Sequence, residues 1–313
     1  MMQVKRILVP TDFSESSQCA LRHATELARK LGAELVLTHI RTPYADDPNR
    51  PEYHFFDEGR YSAFVTEELS RTSEGISSDH VVRTLVGRDV SPANGILRVA
   101  EENQADLIVM GTHGRTGLGH FFLGSVAEKV VRHARLPVMT VSSKREGYRD
   151  NPRYQRILAS YDFSAHSREA VCRARDLAAL YGARLSVLYV IEQEIHPGYY
   201  DVWKVSVKSE MPGIAQEARK SLLSVLGEHG LDDVEVFVEV GRGDGRVHRD
   251  ITRFAADHET DLIVMGTYGL SGIEHMLLGS TTERVIRIAP CPVLTSHLSR
   301  RSKTSGDRTS EQK

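Results

Sequence analysis

Cysteine, strong net charge and long apolar runs are all scarce in this chain. Its 313 residues carry three cysteines, Cys19, Cys172 and Cys291, standing singly without a CxxC pair. Such spacing fits a reducing compartment and makes all three packing residues rather than a disulfide framework. No apolar stretch reaches the ~20 residues that span a bilayer, and the N-terminus MMQVKRILVPTDF lacks the apolar core and cleavage site of a signal peptide. A cytoplasmic protein without membrane attachment is expected. With 40 Lys and Arg against 42 Asp and Glu, a net charge of −2 offers no general attraction to nucleic acid. None of the fourteen histidines forms HxH, HExxH or a Cys/His pair at ligand spacing, so no metal site built from protein ligands alone is expected. No Ser-His-Asp or Cys-His grouping is legible, so no catalytic residue is assigned, and a binding protein is favoured over an enzyme.

What is present is a duplication. Sliding the chain by 150 residues sets Asp12-Phe-Ser on Asp162-Phe-Ser, Ala20 on Ala170, Leu27-Ala28 on Leu177-Ala178 and Gly32 on Gly182. Further on, DLIVMGTHGRTGLGHFFLGS from Asp106 returns as DLIVMGTYGLSGIEHMLLGS from Asp261, an offset of 155. Residues 1–143 and 155–298 are therefore read as two domains, 144–154 as a polar linker, and 299–313 as a disordered polar tail.

Each half alternates short apolar runs with helical periodicity. Strands are expected at Arg6 to Pro10, Glu34 to Ile40, Val81 to Val86, Leu107 to Met110 and Leu136 to Val141. Their counterparts are Arg156 to Ser160, Arg184 to Ile191, Val234 to Val240, Leu262 to Met265 and Cys291 to Ser296. The third strands lead through Gly87 or Gly241 into a helix. Ser14 or Ser17 and Ser164 or Ser167 can cap the first helices, which Gly32 and Gly182 stop. The result is an α/β chain of two tandem open parallel-sheet sandwiches, Rossmann-like, with helices on both faces. Pro137 and Pro292 at the last strands suit an edge position, where Pro137–Val141 and Pro292–Ser296 can pair as an intramolecular pseudo-dimer.

The apolar run before each glycine loop, and the helix after it, suit an anion site: glycine lets backbone N–H groups approach closely and take positive φ. Ser125 and Ser280 could equally be helix caps. Gly119 to Ser125 has the glycine spacing of a Walker A loop, but Ser125 stands where the lysine belongs. No G-x-G-x-x-G follows a strand.

Gly-x2-Gly-x9-Gly-Ser after a buried strand, met twice, resembles the ATP-binding signature of the universal stress protein family, over about residues 4–143 and 155–297. The resemblance implies an adenine nucleotide alpha hydrolase-like fold and ATP contacts from Pro10, Thr11, Asp12, Ile40, Met110, Gly111, His113, Gly114, Arg115, Gly124, Ser125 and Val126. In the second copy it implies Ser160, Tyr161, Asp162, Val190, Met265, Gly266, Gly269, Gly279, Ser280 and Thr281. Asp12 and Asp162 are expected near the base or ribose, Ile40 and Val190 against adenine, and the Gly-Ser pairs at the outer phosphates. On helix preferences alone, either Asp could instead cap the next helix. Arg115, replaced by Leu270 in the second copy, favours tighter binding in the first half.

Mg2+ is expected only with the phosphates. The implied role is a regulatory or stress-tolerance factor set by ATP occupancy, with room for homo-oligomers; a slow Mg2+-dependent ATPase or phosphotransferase is the alternative. A phosphorylated receiver with Asp12 as acceptor is disfavoured, because the third strands end at glycine rather than Asp.

Overall fold

The computed structural model describes residues 3–42, 58–76, 82–113, 123–142, 148–150, 152–191, 213–231, 234–241, 246–268 and 278–297. The first half runs β1 (Arg6–Pro10), α1 (Glu15–Leu31), β2 (Glu34–Arg41), α2 (Glu58–Glu74), β3 (Val82–Arg88), α3 (Pro92–Glu102), β4 (Leu107–Gly111), α4 (Ser125–His133) and β5 (Val138–Val141). The second repeats it as β6 (Arg156–Tyr161), α5 (Ala165–Tyr181), β7 (Arg184–Ile191), α6 (Ile214–Gly227), β8 (Glu235–Val240), α7 (Val247–Asp257), β9 (Leu262–Gly266), α8 (Ser280–Ile288) and β10 (Val293–Ser296). None of the described helices is long and apolar enough to cross a membrane.

All ten strands form one sheet, in the order β3-β2-β1-β4-β5-β10-β9-β6-β7-β8. Each half is parallel, and the halves meet at an antiparallel β5–β10 seam pairing Val293 with Thr140, Leu294 with Met139 and Thr295 with Val138. The last strand of each half is thus interior to the joint sheet. Open backbone groups at a sheet edge invite another strand; here the duplicated copy supplies it. Pro137 and Pro292 stand just outside the strands, their carbonyls accepting from Ile108 N and Ile263 N at 3.0 Å.

Strand alternation divides the core. Ile7 and Val9 belong to the layer that packs under α1, α2, α5 and α6, whereas Leu8 belongs to the layer under α3, α4, α7 and α8. Both apolar layers cross the seam, so the halves share one core. On the second face, Arg132 meets Glu128 at 2.8 Å and Glu283 at 3.4 Å, while Arg287 meets Glu128 at 3.6 Å and Glu283 within its own helix. This reciprocal ion-pair set follows the internal two-fold.

Ser14 and Ser164 are the helix caps, accepting from Ser17 N at 3.3 Å and Ser167 N at 3.1 Å. Gly32 and Gly182 end the same helices in left-handed geometry, φ 65° and 64°, where a side chain would be strained. Gly87 corrects the sequence reading: it lies inside β3, which continues to Arg88. A Cβ there would sit 2.5 Å from Ile40 Cδ1, so Gly87 makes room for a neighbouring strand's side chain. Val81 lies outside the described residues, and Val234 precedes β8.

The connecting segment is more than a polar spacer. Tyr154 is fully buried beneath both halves, its ring 5.9 Å from His23 and 5.1 Å from Tyr181. Tyr148 Oη accepts from Ser142 N at 3.0 Å. Asp150 pairs with Arg22 and His23 of α1. Composition hid this because a few buried contacts suffice to anchor a charged segment. Residues 298–313 lie outside the described structure.

Candidate functional site

In the first half, a cleft of about 310 Å³ opens where β1, β2 and β4 end. Such strand ends are where open α/β sheets bind ligands, at the reversal of strand order; β1 lies between β2 and β4 here. Of the residues singled out from sequence, Pro10, Thr11, Asp12, Ile40, Met110, Gly111, His113, Gly124, Ser125 and Val126 all line it. Gly114 and Arg115 lie outside the described residues, as does Gly269 of the second half.

The local chemistry departs from the sequence expectation in two ways and in a third realises the alternative it left open. The helix caps are Gly124 and Gly279, with Ser125 and Ser280 as first helical residues and no side-chain cap bond at either end. The first-turn N–H groups of α4 therefore have no side-chain cap, and they begin where Gly124, Ser125 and Val126 line the cleft. Secondly, these glycines do not adopt positive φ: Gly124 has φ −59° and Gly279 φ −67°. They are small because something is close: a Cβ on Gly124 would lie 2.9 Å from the Thr112 carbonyl, and one on Gly111 2.8 Å from the backbone of Ser16. Gly266 is pressed in the same way against His166. Thirdly, Asp12 accepts from Ser14 N at 3.1 Å and Ser14 Oγ at 2.5 Å. It orders the turn into α1 while still lining the cleft, and Asp162 accepts from Ser164 N at 3.0 Å.

Several cleft residues were missed from sequence: His39, Thr42, Tyr61, Pro92, Ile96, Ser17 and Thr112. His39 Nδ1 donates to Thr11 O at 2.7 Å, and Nε2 hydrogen-bonds Tyr61 Oη at 3.0 Å. These bonds tie β1, β2 and α2 into one wall. Phe13 stacks on His39 at 5.0 Å with φ 63°, and Phe163 has φ 66° at the matching position. Left-handed phenylalanine costs on the order of 1 kcal/mol; its recurrence marks a turn shaped for more than chain reversal. No sequence signal pointed to Tyr61, because α2 follows residues without a repeat counterpart.

The second half is built from bulkier pieces. Tyr161, where the first half has Thr11, is buried, and its ring stands 5.2 Å from Phe163, itself 5.0 Å from Tyr189 at the position of His39. Burial raises the pKa of the Tyr161 phenol. β6 runs one residue past the expected end at Ser160, to Tyr161, and Val190 is the penultimate residue of β7; Val190 and Met265 are buried. His166 replaces Ser16, and its ring lies 4.9 Å from Tyr268; burial lowers its pKa. Thr282 Oγ1 donates to Gly266 O at 2.9 Å, a tie that Ala127 cannot make. Ser280 and Thr281 occupy the first turn of α8.

Comparison with known proteins agrees with this architecture. The model of the universal stress protein family matches twice, over residues 3–142 and 153–297. Universal stress protein Rv2319c of Mycobacterium tuberculosis is 27% identical over 291 residues, 91% of this chain and 94% of that one. Universal stress protein MJ0531 of Methanocaldococcus jannaschii is 33% identical over 146 residues, 45% of this chain and 84% of its own. A universal stress protein of Archaeoglobus fulgidus superposes with TM-score 0.65 at 23% identity, covering 96% of this chain and 98% of that one, a likeness of fold. With two matches that together take in nearly every strand and helix described above, the chain belongs to the universal stress protein family as a tandem, two-copy member.

Proposed function

We propose that the first half binds an adenine nucleotide, with ATP as the ligand, and that its occupancy sets a regulatory or stress-tolerance state read by a partner or a conformational change. The observation that carries this reading is the cleft itself. Apolar walls from Ile40, Ile96 and Met110 suit a flat base, and Asp12 offers a carboxylate to the base or ribose. The α4 N-terminus, bare of a side-chain cap, faces the same space, a favourable site for phosphates. At about 310 Å³, the cleft falls at the lower end of the range usual for small-molecule sites. Mg2+ would arrive with the phosphates and keep most of its waters. The aromatic packing of Tyr161, Phe163 and Tyr189 supports weaker binding in the second half.

Titration calorimetry of nucleotide-stripped protein with ATP, AMP and cyclic AMP tests this. One tight site for ATP, lost in Ser125→Glu, supports the reading. Absence of any adenine-nucleotide binding by the folded chain sinks it. Phosphate release in the same samples separates a binding protein from a slow ATPase: turnover that disappears with Ser125→Glu would favour the enzyme.

A further inference from the structure

Away from the cleft, one buried cluster is left without a role by the nucleotide reading. Cys19 and His23 lie four residues apart on one face of α1, and Asp150 of the connecting segment closes over them. Their donor atoms, one each of sulfur, nitrogen and oxygen, lie within 4.8 Å of one another. Tyr154 Oη lies 2.8 Å from His23 Nδ1 and 3.5 Å from Met139 Sδ. His23 Nε2 meets Asp150 Oδ1 at 3.0 Å, so one imidazole nitrogen and one carboxylate oxygen face each other beside the thiol. Cys19 and His23 are a Cys/His pair at helical spacing that the sequence reading passed over, and the third donor, Asp150, lies more than a hundred residues away.

We propose that Cys19, His23 and Asp150 form a site for a borderline transition-metal ion of the zinc type, clamping the connecting segment to α1. The donor set suits such an ion. Tetrahedral zinc with bonds of about 2.0–2.3 Å holds its ligand atoms roughly 3.3–3.8 Å apart, a spacing that small side-chain adjustments reach from a cluster within 4.8 Å. The outer partners are already in place. Tyr154 orients the imidazole through Nδ1, and Arg22 holds the second oxygen of Asp150, the pattern that positions ligands in metal sites.

Burial keeps the Cys19 thiol protonated, its pKa pushed up to about 12. Binding therefore expels the thiol proton to solvent, and the imidazole presents its Nε2 lone pair with the ring proton on Nδ1, facing Tyr154 Oη. Three protein ligands leave a fourth position for water, reached past the Asp150 side chain, one-third exposed.

The test is cobalt(II) added to the metal-free full-length chain, both to the folded protein and during refolding. One cobalt per chain is expected, with a thiolate-to-cobalt charge-transfer band that vanishes in Cys19→Ser and persists in Cys172→Ser and Cys291→Ser. Asp150→Asn, a change at a partly exposed position, should weaken cobalt binding at least tenfold while circular dichroism stays native. No charge-transfer band from a natively folded chain at millimolar cobalt, or a band that survives Cys19→Ser, overturns the proposal.

Discussion

Thr140 and Thr295 are mates across the internal two-fold: Thr140 Oγ1 donates to Val293 O at 3.2 Å, and Thr295 Oγ1 donates to Val138 O at 3.0 Å. Both hydroxyls are buried, so each half's last strand bonds to the other through side chain as well as backbone. Replacing either by Val keeps the shape and removes one bond, at a cost of about 1 kcal/mol. Thr140→Val and Thr295→Val should each lower the denaturation midpoint. In the double variant the loss should be close to the sum or exceed it, with the two halves still unfolding together. Separate transitions for the halves would show that the shared core does not couple them.

Ser125→Glu separates helix stability from ligand binding. A carboxylate in the first turn of α4 favours the helix dipole, so the fold should hold or gain slightly. The same charge stands beside the proposed phosphate position and should weaken ATP at least ~10-fold, about 1.4 kcal/mol. Gly124→Leu is a poorer probe, because its side chain collides with the Thr112 backbone. Calorimetry with ATP and with adenosine checks the claim: adenosine affinity should change little.

Gly87→Ala acts on the base wall from behind. Its Cβ runs into the tip of Ile40 at 2.5 Å and touches Val99 at 3.4 Å; Ile40 lines the cleft. The isoleucine is expected to swing, costing about 1–2 kcal/mol of stability and lowering affinity for ATP and adenosine alike. Equal loss for both ligands distinguishes it from Ser125→Glu.

His297 supplies a pH dependence. Burial, with His166 and Arg173 nearby, depresses its pKa to about 4. Below about pH 6.5 the unfolded chain takes up a proton that the folded chain refuses until about pH 4. Stability from this residue is therefore full above pH 6.5 and falls toward pH 4, by on the order of 3 kcal/mol. In urea titrations, His297→Gln should lose less stability than the parent between pH 7 and pH 4.5. Identical losses would mean that the ring is hydrated in the folded state.

The duplication, the strand and helix order and the two faces were legible in the sequence because they rest on local periodicity and repeated glycines. The resemblance to a known family, carried by the twice-met glycine spacing, pointed to Pro10 to Asp12 and Gly124 to Val126, which line the cleft. The tertiary structure decided the rest. It set Gly111 against Ser16 and Gly124 against Thr112, so that these glycines serve close approach rather than an unusual φ. It brought His39, Tyr61 and Ile96 to one wall and folded Asp150 and Tyr154 of a charged connector onto His23. Pairing of this kind depends on side chains far apart in the chain meeting after the sheet has closed. Periodicity tells which face a residue occupies, and only packing tells what it meets there.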